Sequence, residues 1–307
     1  MKIKAFLFII AAGILWGTSP LFVSYLSPKG FTSLELTAVR AAVSVFILAL
    51  FLLISNRGAF RIGRQELLLL LVSAIGFVGT ATFYFQAIKM TSASTAVVLM
   101  YTAPIYVLIF SILFLGERLT PLKLSAMTVM LLGCFFVSGV IGGFHFDALG
   151  VLFGVLSGLS YGTYNIVTKI LMRRGANPSA STFYTFLFAA AISTVISRPV
   201  SLFEKIGDSS ALTVLLLIFL GIATCVAPYF LYTLAMRELS AGVASSLAIV
   251  EPMAATVMSA IFLSDIPSPV SWVGIVLILG AVVLLGIAEK KLGDKEKTLG
   301  DKNEQNN

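Results

Sequence analysis

Residues 92–104 read SASTAVVLMYTAP and residues 240–252 read SAGVASSLAIVEP, so a Ser-Ala start and a proline end recur 148 positions apart. At the same offset, LFLGERLTP at 113–121 corresponds to IFLSDIPSP at 261–269. Further upstream, GILWGT begins at Gly13 and GLSYGT begins at Gly158. A long, nearly constant period indicates a duplicated structural unit. The sequence therefore predicts two related domains, residues 1–145 and 146–288.

The composition predicts that these domains lie in a membrane. Hydrophobic residues make up 58% of the 307 residues and charged residues 11%, against about 45–50% and about 25% in soluble domains. A spanning helix needs about 20 apolar residues. An all-α membrane protein with ten transmembrane helices is therefore predicted. The ten segments are Phe6–Leu26, Leu34–Ile54, Leu67–Ala87, Ala93–Leu115, Leu122–Ile141, Leu149–Leu171, Thr182–Ile196, Ala211–Tyr232, Ala241–Leu263 and Val270–Ala288.

The number of segments predicts how the two domains are oriented. Each domain holds five, and because five is odd, the second enters the bilayer from the opposite side. The sequence therefore predicts two inverted five-helix repeats, which are typical of alternating-access transporters. Of the lysines and arginines, 16 fall on the side of the N-terminus and 4 on the other. The positive-inside rule then predicts an inner (plasma) membrane protein with both termini cytoplasmic.

Several classes of function are excluded by the sequence. The single histidine, His145, allows neither a histidine metal site nor a Ser-His-acid triad, and phosphate-loop and dinucleotide motifs are absent. Cys134 and Cys225 lie in apolar segments. We therefore expect no enzyme activity, cofactor or metal. The scattered basic residues predict no nucleic-acid partner, and the charge-balanced, polar segment 289–307 is predicted to be a disordered tail.

Two charged residues lie within predicted segments. A carboxylate at the depth of Glu251 costs about 2.5–3.5 kcal/mol on insertion scales, which favours a protonatable or cation-binding group in a cavity. A protonated carboxyl that only packs helices together is the alternative. Arg40 is predicted to pair with Glu251, to bind an anionic or carboxylate-bearing substrate, or to extend towards the membrane surface.

Prolines, aromatic residues and glycines supply the other expected sites. Pro104 and Pro252 are repeat equivalents and are predicted to be hinges, with static kinks as the alternative. The polar and aromatic residues expected to line a substrate cavity are Trp16, Thr18, Tyr101, Tyr161, Tyr164, Asn165 and Tyr229. Tyr84 and Tyr232 are expected either there or at the membrane interface. Close helix contacts in helices 5 and 10 are expected at Gly133, Gly139, Gly280 and Gly286.

Over residues 5–288 the chain resembles the EamA family of the drug/metabolite transporter superfamily. The resemblance rests on Trp16-Gly17, on the Pro104 helix that ends in LGERLT, and on Glu251-Pro252 followed by FLSD. The second copy departs from the family pattern at Ser264-Asp265. The resemblance implies ten helices around a central cavity and alternating access for small organic solutes, often outward. It also implies a homodimer contact through helices 5 and 10.

A secondary transporter of a small organic metabolite or drug is therefore expected, with export as the expected direction and proton coupling through Glu251 as a hypothesis. An uncoupled exchanger or facilitator has the same fold and remains an alternative. A membrane sensor or enzyme built on a helical bundle is a second one. The lipid bilayer and the solute are the expected partners.

Overall fold

The structure is a computed structural model that describes residues 2–117, 119–138, 147–197, 199–264 and 266–305. Every regular element in these ranges is a helix. The helices of the first domain are α1 (Lys2–Trp16), α2 (Ser19–Leu26), α3 (Ser33–Ser55), α4 (Arg64–Met90), α5 (Ala93–Met100), α6 (Ala103–Leu115) and α7 (Pro121–Val137). Those of the second domain are α8 (Ala148–Arg173), α9 (Pro178–Ile196), α10 (Pro199–Gly207), α11 (Ala211–Gly221), α12 (Ala227–Ala235), α13 (Ala241–Leu247), α14 (Val250–Phe262) and α15 (Pro269–Gln305).

Eight helical stretches within the described residues are long and apolar enough to cross a membrane. The α7 helix is apolar but has only 17 residues. The α8 helix has 26 residues and does not qualify, because residues such as Ser157, Tyr164 and Asn165 lower its mean hydropathy. The prediction of an all-helical membrane protein is confirmed at this level, and ten spans stay a prediction.

The outer surface of the bundle is apolar. Phe46, Leu113, Phe262 and Val276 each expose between 65% and 72% of their area. Soluble monomers rarely expose contiguous apolar patches beyond a few hundred Å², whereas a bilayer is the solvent that such side chains require. The surface therefore agrees with the composition in indicating a membrane protein.

Three of the predicted segments are each broken into two helices. The breaks separate α1 from α2, α5 from α6, and α13 from α14, and a π-helical turn, Ile222–Val226, separates α11 from α12. A proline follows each interruption within the first turn of the next helix: Pro20, Pro104, Pro228 and Pro252. Proline is tolerated there because the first turn of a helix leaves its N–H groups unpaired.

Helices from the two domains pack against each other in corresponding pairs. The α4 helix packs along α8, and α12, which occupies the position equivalent to α4, packs along α1. The α3 helix lies against α9, and α7 lies against α15. Exchanging the two halves therefore leaves these four packed pairs unchanged.

The glycines expected at helix contacts occupy different surroundings. A Cβ on Gly274 would lie 2.6 Å from the carbonyl oxygen of Gly133, so α7 and α15 touch through their backbones. Gly280 faces open space, and a Cβ on Gly286 would lie 3.9 Å from Phe6. Gly139 lies outside the described residues. Gly133 thus serves packing within the chain, and a homodimer stays a prediction.

The last helix extends into the segment for which disorder stays a prediction. The backbone of α15 continues to Gln305, whereas residues 289–307 are expected to be disordered. Lys, Glu and Leu are good helix formers, and the preceding span supplies the nucleus that an isolated helix lacks. His145 and the expected domain boundary at 145 lie outside the described residues.

Candidate functional site

A cavity of about 780 Å³ is lined by helices from both halves of the chain, the two predicted domains. It extends from the middle of the helices to the face where α3 and α15 begin, which we call the far face. Val23, Ile266 and Ser268 line its outer end and are exposed, so the cavity opens there. The opposite face, where α1 and α4 begin, is called the near face. The volume of the cavity is within the range of about 300–1,000 Å³ that is usual for small-molecule sites.

Two broken helices meet at the inner end of this cavity. Tyr101 lies in the break between α5 and α6, and Glu251 lies in the first turn of α14. The hydroxyl of Tyr101 donates a hydrogen bond of 2.7 Å to Oε2 of Glu251. Both side chains line the cavity. Among the described residues that line the cavity, the carboxyl group is that of Glu251, and it is held by a residue from the other half of the chain.

The carbonyl groups that the prolines leave unpaired have local partners in two of the breaks. The hydroxyl of Ser19 donates to the carbonyl oxygen of Trp16 at 2.6 Å. In α14 the N–H of Glu251 donates to the carbonyl oxygen of Ala248 at 2.9 Å. A break whose polar groups are satisfied in this way is tolerated at membrane depth where it borders a cavity.

Aromatic rings form one wall of the cavity around Tyr229. Its ring lies 4.9 Å from Trp16, 5.4 Å from Phe77, 5.4 Å from Tyr164 and 5.2 Å from Phe186, measured between ring centroids, and all four pairs are edge-to-face. Edge-to-face pairs at such distances are favourable beyond the area they bury. Trp16, Phe77, Tyr164 and Tyr229 of this cluster line the cavity, so the wall that they form is largely aromatic.

Arg40 brings a positive charge to the same wall. Its guanidinium carbon lies 5.3 Å from the centre of the Phe77 ring. Within the described residues, Nε of Arg40 is buried without a hydrogen-bond partner, as is Nε1 of Trp16. The ion pairs found there are Glu117 with Arg173 and Glu35 with Lys205. The expected pairing of Arg40 with Glu251 is thus not present in this structure.

The structure brings most of the expected site residues together. Those that line the cavity are Trp16, Arg40, Tyr101, Tyr161, Tyr164, Tyr229, Glu251 and Pro252. Tyr84 lines it as well, so it lies in the pocket rather than at an interface. Phe77, Thr37 and Thr80 also line it and were not expected, because single residues of these types in an apolar segment carry no distinguishing pattern.

Thr18 and Asn165, both expected in the cavity, are not among its lining residues. The hydroxyl of Thr18 donates to the carbonyl oxygen of Leu15 at 2.7 Å. Asn165 is fully buried, donates to the carbonyl oxygen of Tyr161 at 2.7 Å and accepts a hydrogen bond from Tyr232. Their polar groups are used inside the protein, which also places Tyr232 in the core rather than at an interface. Pro104 is buried beside the cavity without lining it.

Polar contacts join the two domains at the near face. Oε1 of Glu117 accepts a hydrogen bond of 3.1 Å from the N–H of Ala241 and lies 3.6 Å from Nη2 of Arg173. Within the second domain, Lys169, which is buried, donates to the carbonyl oxygens of Met236 and Leu239. A carboxylate after a helix C-terminus needs such donors because the helix dipole disfavours it. These contacts lie at the near face, which is closed.

A bundle of apolar helices with broken segments around a cavity that opens at one face defines a polytopic membrane protein of the transporter type. A family model described as the EamA-like transporter family matches this chain twice, over residues 3–139 and 148–287. The chain therefore belongs to the EamA-like transporter family, and it is a membrane transporter rather than an enzyme. The resemblance found in the sequence is confirmed.

Similar proteins agree with this membership. The chain is 26% identical over 287 residues to the uncharacterized transporter YwfM of Bacillus subtilis (strain 168), covering 93% of this chain and 94% of that protein. It is 27% identical over 279 residues to an uncharacterized transporter of Archaeoglobus fulgidus, covering 91% and 93%. One solved crystal structure has a similar fold, with a TM-score of 0.78, 21% identity and coverage of 95% of this chain and 99% of that one.

Proposed function

We propose that this protein is a secondary transporter that carries a small organic solute across the inner membrane by alternating access, with export as its direction. The observation that carries the proposal is the cavity of about 780 Å³ that both domains line and that opens at the far face. A chain without a nucleotide-binding motif has to draw on solute or ion gradients. Glu251, held by Tyr101 at the inner end of the cavity, is the group proposed for proton coupling.

The proposed mechanism uses two inverted five-helix repeats. Two matches of one family model within the chain and the exchange of packed helix pairs support this arrangement. Inverted repeats that exchange conformations produce one state open to each side. The excess of Lys and Arg on the near face supports a cytoplasmic position for both termini. The structure then corresponds to the state that is open to the outside.

Pro104 and Pro252 are proposed as the hinges of this exchange. Each follows a break between two helices, and the breaks meet at the Tyr101–Glu251 hydrogen bond. Rotation of one half-helix against the other at these points would open the near face and close the far face. The half-helices themselves would move as rigid units.

The decisive experiment is flux through the purified protein in proteoliposomes. A ligand-stabilisation screen of small metabolites identifies a binder, because a ligand of the native state raises its apparent stability. We expect that binder to be exchanged across the vesicle membrane, and faster under a pH gradient. Exchange that is indifferent to every ion gradient would favour the uncoupled exchanger. Binding without any flux would favour a sensor and contradict the proposal.

A cysteine variant tests the exchange of conformations. Val97 lines the cavity, and Ser245, its equivalent at an offset of 148, is fully buried near the closed face. Cys134 and Cys225 are buried too, so a thiol reagent reports the new residue. In inverted vesicles we expect Ser245→Cys to react slowly with an impermeant maleimide. Adding Arg173→Gln removes the partly exposed ion pair with Glu117, and the usual contribution of such a pair corresponds to a factor of about 2 to 5. We therefore expect the maleimide to react about 2- to 5-fold faster.

Arg174→Gln is the matched control, since Arg174 is the neighbouring exposed arginine and its removal changes the net charge equally. It should leave the rate unchanged. An equal effect of both substitutions would contradict the role of the Glu117–Arg173 contact. Reaction of Ser245→Cys from the opposite side only would contradict the proposed orientation.

A further inference from the structure

The cavity contains two buried hydrogen-bond donors that lack an acceptor. Nε of Arg40 and Nε1 of Trp16 have no partner within the described residues, and Trp16 exposes only 5% of its area. More than nine-tenths of buried polar groups in proteins are hydrogen-bonded, and leaving one unpaired costs about 1–3 kcal/mol. Both side chains line the cavity, so a ligand bound there would lie next to both residues.

The two donors belong to one continuous cluster of side chains. Trp16 contacts Tyr229, Tyr229 contacts Phe77, and the guanidinium of Arg40 lies over Phe77. A ligand in the cavity would meet the side chain of Arg40 at one end of this cluster and aromatic side chains along the rest of it. The cluster therefore combines a polar end with an apolar surface.

The charge of Arg40 specifies what the acceptor should be. Water can satisfy a neutral donor, but it leaves the positive charge uncompensated, and a charge inside a membrane segment is costly. Two acidic side chains, Glu35 and Glu251, have partners other than Arg40. Glu35, on the same helix, lies 2.8 Å from Lys205, and Glu251 accepts from Tyr101. Within the described residues no carboxylate forms an ion pair with Arg40, and an incoming anion would place a countercharge in direct contact with the guanidinium.

We propose that Arg40 forms a carboxylate subsite in the cavity that Trp16 also lines, so that the solute carried by this protein is an organic acid with an apolar, ring-sized body. The planar guanidinium matches the two oxygens of a carboxylate, and the body lies among Phe77, Tyr164 and Tyr229. This inference rests on the proposed function only in taking the cavity as the solute site.

The test uses Trp16 as its own reporter. The chain has two tryptophans, Trp16 and Trp272, and Trp272 lies on the exposed side of α15. In Trp272→Phe, tryptophan emission reports the cavity alone. We would titrate this variant with 3-phenylpropionate, 3-phenylpropanamide and 3-phenylpropylamine, which share one body and differ in charge. We expect the acid to bind at least about tenfold more tightly than the amide, as a hydrogen bond to a charged group implies.

A second arm removes the charge. Arg40→Gln should reduce the affinity for 3-phenylpropionate to that for the amide and leave the affinity for the amide unchanged. Lys29→Gln is the control, because Lys29 is exposed at the far face outside the cavity lining and its loss changes the net charge equally. The comparison of the three probes needs no change in the cavity, so it stands even where Arg40→Gln fails to fold.

Equal binding of acid and amide, tightest binding of the amine, or no binding of any probe at millimolar concentration would each overturn the carboxylate subsite. None of these results bears on flux of another solute in proteoliposomes. The subsite and the transport function therefore fail independently.

Discussion

Glu251→Gln should abolish the acceleration of transport by a pH gradient while leaving solute exchange without a gradient intact. The glutamine amide has the shape of the carboxyl group, and its oxygen can still accept the hydrogen bond that Tyr101 donates at 2.7 Å. It cannot gain or lose a proton. We expect the gradient-driven rate to fall to the rate without a gradient, a loss of about tenfold for a typical coupling between two sites. The measurement is initial flux in proteoliposomes at equal and unequal pH.

Two further variants make this result specific. Glu204→Gln removes an exposed carboxyl group from α10, outside the cavity, and should behave like the unaltered protein. Tyr101→Phe removes the hydrogen bond but keeps the carboxyl group, so dependence on the gradient should persist. Undiminished acceleration in Glu251→Gln would remove Glu251 from the coupling mechanism and favour the packing role that its position also allows.

Gly274→Ala should lower the stability of the protein by about 1–3 kcal/mol, the usual cost of overpacking. The added methyl carbon would lie 2.6 Å from both the carbonyl oxygen of Gly133 and the N–H nitrogen of Val137. These are backbone atoms, so the contact is relieved only by moving α7 away from α15. The measurement is thermal unfolding of the purified protein in detergent.

Gly280→Ala on the same helix is the matched control. A Cβ there meets no atom within 4 Å, and alanine has the higher helix propensity by up to about 1 kcal/mol. Its melting temperature should therefore be equal to or above that of the unaltered protein. If both substitutions gave the same melting temperature, close backbone packing of α7 on α15 would not contribute to stability.

Some residues of the cavity could be predicted from the sequence, because their type or their recurrence in both halves distinguishes them. Glu251 stands out because a carboxylate in an apolar segment is costly, and Trp16 and Tyr161 stand out because they recur at equivalent positions of the two halves. Both of these signals can be recognised in the sequence without any knowledge of packing. Phe77 carries neither signal, although it contacts both Arg40 and Tyr229.

Side-chain direction is where prediction from the sequence failed. Thr18 and Asn165 have the depth and polarity expected of cavity residues, yet backbone carbonyls and Tyr232 take up their polar groups. The direction a side chain faces depends on how its helix is rotated against its neighbours. An apolar segment of nearly uniform hydropathy does not specify that rotation.

The amino-acid sequence by itself determined that this protein lies in a membrane and is helical, that its two halves are related, and which family it belongs to. Each of these follows from composition, length or period along the chain. Tertiary structure alone decided where Tyr101 meets Glu251 and which face is closed by Glu117, Arg173 and Ala241. Those features join residues that are 56 to 150 positions apart in the chain. Only the packing of helices from both halves brings such residues within the few ångströms over which hydrogen bonds and ion pairs act.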